Sequence, residues 1–159
     1  MCKIKQVISA KVGSITVRLE SGAVVMRAGG TVSWRTNNPG NLKSGPFAKM
    51  YGAVGRDHKG HAVFPDIASG RRAKYHLLFG PERGYLTMTL VEALQRYAPV
   101  SDGNDPINYA NFVARKAKIN VNDVLGSMSE AQRERVLIAM ATFEGYKEGT
   151  ITDVAKSSD

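Results

Sequence analysis

One cysteine in 159 residues, Cys2, leaves no partner for an internal disulfide and excludes a zinc cage built from cysteines. Aromatic residues are sparse at 8%, with a single tryptophan, and they form no obvious platform on which successive nucleobases would stack. No run approaches the roughly 20 apolar residues that a membrane-spanning helix needs. The opening "MCKIKQVISAKVGS" likewise lacks the continuous apolar stretch of a secretory signal. Internal repeats and low-complexity tracts are absent too. Membrane insertion and a disulfide scaffold are therefore not expected.

What is present is ordinary in bulk and unusual in charge. Hydrophobic residues at 43% and charged residues at 23% are those of a globular chain, of a length that fits one domain with at most an appendage. A formal charge of +8 attracts anionic partners: nucleic acid, an acidic membrane surface or the bacterial cell wall. Two basic clusters, "RRAK" at 71–74 and "RKAK" at 115–118, fall on predicted helices, where a solvated face is the simplest account of them.

Along the chain, "ITVRL" and "AVVMR", separated by "ESG", read as a β-hairpin, with "TVSW" as a further strand after "AGG". Residues 35–60 are rich in Gly, Asn and Pro and read as a long loop with one short apolar element around "PFAKMYGAV"; loops of that length tend to be functional. "HAVFP" fits a short strand. Asp66 then suits the N-cap of a helix through Phe79, with Ala68, Tyr75, Leu78 and Phe79 turned inward, until "GPERG" breaks it. Thr89 and Glu92 make a capping box for a helix that stops near Pro99, and Asp105 with Pro106 opens the next. Ser129 and Gln132 open a last helix, expected to run to Gly149. The "AKSSD" at 155–159 reads as a frayed tail.

Glu144 is the residue that stands out. Counting back along its helix reaches Ala141, Met140 and Leu137, all apolar, so its carboxylate lies at the end of a stripe expected to face the core. Poor hydration disfavours a charged carboxylate, which suits a general acid; a structural pairing with Arg or Lys is the competing account. Glu20 in "LESG" is a weaker rival, because its surroundings read as a hairpin tip. The stretch "RDHKGHAVFPD" gathers Asp57, His58, His61 and Asp66, but no third fixed ligand completes a zinc site, so no metal and no cofactor is expected. His61 is instead a candidate acid or base, whereas His76 reads as a packed residue. In "YAPVSDGNDPINY" Asp105 has a capping role, leaving Asp102 as the candidate second carboxylate.

Four segments in order, "TNNPGNLK", "GHAVFPDIASGRRA", "RYAPVSDGNDPINY" and "IAMATFEGYKEGTI", resemble a family of phage virion-associated and type VI secretion proteins that are peptidoglycan hydrolases of lysozyme-like fold. The resemblance covers Thr36 to Ile151. It implies a lysozyme-like helical catalytic domain at 35–151. Outside it, 1–34 read as a small N-terminal β-hairpin element that looks like the β-segments of secretion-spike proteins, for attachment to a tail or secretion apparatus, and 152–159 as a tail, so the expected class is mainly α (α+β). The resemblance further implies glycan-strand cleavage with Glu144 as acid and with Asn37, Asn38, Asn41, Tyr97 and Asp105 lining the substrate cleft; the residues themselves add Asp102 and His61 as assisting groups and Tyr109 as a lining residue. Asn37 and Asn41 exceed what an Asn-Pro-Gly turn requires, and their amides suit sugar hydroxyls, N-acetyl groups or peptide amides. The chain has Ser101, Asp102 and Gly103 where relatives carry a Ser-Glu-Asn-like run.

The partners so implied are peptidoglycan, a cognate immunity protein and a secretion-spike protein, with no nucleic acid. The site of action would be the periplasm of a target bacterium, reached by export without a classical signal peptide. Two alternatives stay open: a stem-peptide endopeptidase, and a non-catalytic wall-binding tail or spike component.

Overall fold

A computed structural model describes residues 2–154. Six strands and six α-helices follow one another as β1 (Ile4–Lys11), β2 (Ser14–Leu19), β3 (Val24–Ala28), α1 (Val32–Thr36), α2 (Pro46–Met50), β4 (Gly55–Arg56), β5 (Ala62–Val63), α3 (Ile67–Phe79), α4 (Leu90–Tyr97), α5 (Pro106–Ala117), α6 (Glu130–Glu144) and β6 (Thr150–Asp153). The expected mainly helical, lysozyme-like class is overturned. The described residues include an antiparallel four-stranded sheet, ordered β1-β2-β3-β6, as well as the helices, and the fold is mixed α+β.

The sheet outgrew its reading for identifiable reasons. Strand β1 exposes most of both faces, so "IKQVISAK" carries no clean alternation, and its register slips between Ile4 and Gln6 and again between Val7 and Ser9. Strand β6 is short and exposed throughout, and it exists because β3 offers it an edge, with Val25 opposite Asp153 and Ala28 opposite Thr150. "TVSW" is not a strand: the Thr31 side chain accepts from the Trp34 amide and caps α1. Nor does the last helix reach Gly149, since Gly145, at φ 77°, ends it directly after Glu144.

Two compact units result. Among the described residues one takes in 2–74 together with 146–154; the other is Tyr75–Gly145. In the first, Ile4, Ile15, Val17, Val25 and Val63 form a core over one face of the sheet. In the second, α5 packs against α4 and α6, burying Leu90, Leu94, Val113, Leu125, Val136 and Met140. The predicted helix starts hold: both capping boxes are complete, and Asp105 caps α5 by accepting from the Asn108 amide. Asp66 accepts from Ser69 at the head of α3, although Ala68 is exposed rather than turned inward. The tail assignment for 155–159 lies outside the described residues.

Candidate functional site

Within the 75–145 unit, three helix termini deliver three side chains to one point. Helix α4 stops at Tyr97 because Ala98 precedes a proline and leaves the helical region, at φ −132° and ψ 68°. Helix α5 is fixed by its Asp105 cap, which places Tyr109 in the first turn, and Gly145 ends α6 at Glu144. The Tyr109 hydroxyl donates to Glu144 Oε2 at 2.6 Å, and the Tyr97 hydroxyl donates to Oε1 at 3.3 Å.

Both phenols are pushed well above the ordinary tyrosine range, first by burial and then by the negative charge of Glu144. They stay protonated and remain donors. Tyr109 also has a second acceptor in reach, the Met140 carbonyl at 3.5 Å. Glu144 itself is half-buried, at the helix end where the macrodipole is least welcoming to negative charge. Of the stripe expected behind it, Met140 is buried, Leu137 half-buried and Ala141 exposed.

The other predicted residues of this unit have different places. Asp105 is occupied as the α5 cap, and Asp102 lies exposed on a short 3-10 turn, Val100–Asp102.

The asparagine loop belongs to the other unit and is largely turned inward. Asn37 caps α1 in the left-handed region at φ 52°; its amide donates to the Phe64 carbonyl at 3.1 Å, and its oxygen accepts from Arg27 at 3.4 Å. Asn38 is 0% exposed, donates to the Leu42 and Ala62 carbonyls at 2.9 Å each and accepts from the Leu42 amide at 3.0 Å. These amides satisfy the chain's own backbone, a structural task that the cleft-lining expectation did not include. Asn41, at φ 48°, is the exposed member.

Helix α3 supports the loop. Gly70 lies so close to the Asn37 carbonyl that any Cβ would collide with it, and the buried Lys74 one turn on donates to the Pro39 carbonyl at 3.2 Å. Arg27 holds the near side, donating to the Trp34 and Arg35 carbonyls with its guanidinium 4.3 Å from the Trp34 ring centroid.

His61 pairs with Asp57, which the sequence gathered with it as a weighed metal ligand and not as its partner. Asp57, 7% exposed, faces His61 Nδ1 with Oδ2 at 3.0 Å, while Oδ1 accepts from the His61 and Lys59 amides. Burial opposes the Asp57 charge, but the side-chain and backbone hydrogen bonds from His61, its charge and the Lys59 amide outweigh it, and the carboxyl lies below its ordinary value. A ring that donates from Nδ1 presents Nε2 as its basic nitrogen. His58 is exposed, and no three potential ligands cluster for a metal among the described residues. No described helix is long and apolar enough to cross a membrane.

Residues not singled out from the sequence also border Glu144. The Phe143 ring stacks on Tyr109 with centroids 4.2 Å apart and meets Phe112 at 5.2 Å, tilted by 56°. Helical spacing carried the signal, since Phe112 is three residues beyond Tyr109 and Phe143 adjoins Glu144. No protein-family model matches the sequence, and no curated protein matches it.

Proposed function

We propose that the protein hydrolyses the glycan strand of peptidoglycan, with Glu144 as the proton-donating carboxyl. One observation carries this reading beyond the motif resemblance: a half-buried carboxylate at a helix end, gripped by the hydroxyls of Tyr97 and Tyr109. Such a grip fixes the carboxyl in one orientation before substrate arrives, so alignment is not lost to side-chain freedom at the moment of reaction. Entry of a sugar chain excludes bulk water and brings the glycosidic oxygen to the carboxyl. The two tyrosine hydroxyls go on donating to the carboxyl, whose single proton faces away from them and passes to the glycosidic oxygen as positive charge develops on the sugar. An N-acetyl group of the substrate, or Asp102, stabilises that charge until a water adds at the anomeric carbon and gives its proton to the Glu144 carboxylate, which restores the acid.

Mass spectrometry of purified peptidoglycan after incubation with wild type and with Glu144→Gln tests the proposal. Shortened glycan strands from wild type alone support it. Intact strands from both proteins refute it.

A second reading, cleavage of the stem peptide, is favoured by the Asp57–His61 pair, whose geometry suits a histidine base acting on water at an amide. Trimmed stem peptides that disappear with His61→Ala, and not with Glu144→Gln, would select it. A wall-binding component without catalysis would release neither product.

A further inference from the structure

Beside Glu144 lies an arrangement that the proposed proton transfer does not use. Phe143 is backed by Tyr109 on one ring face yet stays 37% exposed, and half-buried Phe112 stands tilted against it, so two aromatic rings form an open apolar corner. On α5 the same line continues into exposed Arg115 and Lys116, whose cationic groups lie 5.9 and 5.8 Å from the Phe112 ring centroid. That is the outer limit of cation–π reach, so the rings hold the charges near without consuming them. Between Pro106 and Ala117 the helix has no acidic side chain to neutralise them. From Tyr109 to Lys116 the helix rises by about 10 Å, more than one sugar ring occupies.

We infer that Phe143, Phe112, Arg115 and Lys116 form a binding strip adjoining Glu144 that takes an anionic glycan: a pyranose on the aromatic corner and a carboxylate borne by that strand on the cationic pair. The C–H face of a pyranose is apolar and packs on an aromatic ring, leaving its hydroxyls to water. A carboxylate farther along meets Arg115 in a forked geometry, with Lys116 adding a point charge. The identity of the strand rests on the glycan reading above; the strip does not depend on turnover. A neutral N-acetylglucosamine polymer would fill the aromatic corner and leave the cations unused, whereas a peptidoglycan strand with its stem peptides would engage both.

Co-sedimentation separates these contributions. Wild type, Phe143→Leu, Arg115→Gln/Lys116→Gln and the control Arg71→Gln/Arg72→Gln are titrated onto purified sacculi, peptide-stripped sacculi and a neutral N-acetylglucosamine polymer, with thermal midpoints verifying the fold. The control removes equal charge from an exposed face of α3. Expected from the 115/116 variant is a loss of at least about fivefold in affinity for intact and for peptide-stripped sacculi, since stripping the peptides frees the lactyl carboxylate of the strand, with no loss on the neutral polymer and little change from the control. Phe143→Leu should weaken all three. Equal losses from both double variants would reduce the effect to overall charge and overturn the strip, as would an unaffected 115/116 variant or no binding by wild type. Intact binding without released reducing ends would overturn glycan hydrolysis and leave the strip standing.

Discussion

Asn37 and Asn38 of the 37–41 loop and the Tyr97–Glu144–Tyr109 cluster both withdraw polar side chains from water, and to opposite ends. Asn38 directs its amide to backbone groups of Leu42 and Ala62, which require partners because they too are buried. Glu144 receives hydroxyls from two side chains on other helices while staying half exposed. A side chain spent on backbone groups holds a loop shut. A titratable group held by side chains and open to solvent is poised to exchange a proton. The nature of the partner separates structure from chemistry here, more than burial does.

Substitutions sharpen that contrast. Glu144→Gln keeps the shape and removes the proton, so glycan cleavage should fall by about 10²–10⁴-fold with the thermal midpoint nearly unmoved, as read by reducing-end release and calorimetry. Asn38→Ala should act on the other side of the comparison, costing about 2–4 kcal/mol in urea unfolding because the Leu42 amide and Ala62 carbonyl lose a partner. A cost below about 0.5 kcal/mol would return the loop to the ligand-binding reading. Tyr109→Phe keeps the stack on Phe143 and deletes the 2.6 Å bond; turnover should drop about tenfold while stability changes by no more than about 1 kcal/mol.

The smallest effect belongs to Asp57. Its carboxyl is lowered in the folded state from an ordinary 3.8, so its contribution is fully present above that value and is lost as pH falls through the depressed one. Asp57→Asn should cost about 1 kcal/mol near neutrality and flatten the acid limb of a plot of thermal midpoint against pH. An unchanged acid limb would show that the His61 contact does not govern this carboxyl.

Much of the helical framework was legible because its signals are local. Thr89 with Glu92, Ser129 with Gln132, and Asp105 before Pro106 each act within a few residues, and each begins a helix where expected. The sheet was legible only in its β2–β3 hairpin, since β1 lacks alternation and β6 has no sequence mark apart from the edge it joins. "TVSW" misled because β-branched Val32 reads as strand, whereas Thr31 settles the matter by capping. At the candidate site, Glu144 announced itself by lying on an apolar stripe, but its two tyrosine donors are brought by tertiary packing that no spacing states. Asn38 is the reverse case: a residue type associated with ligands was engaged by backbone groups 24 residues away.

Strand β6 reaches back across the chain to lie beside β3. During synthesis, the 75–145 unit is continuous and emerges whole, free to fold as soon as it clears the ribosome. The sheet must wait, its β3 edge open, until residues 150–153 appear; closing so long a loop makes this pairing a late event. The order of completion thus crosses the order of reading: strands β1–β3 precede the helical unit in the chain and gain their last neighbour after it.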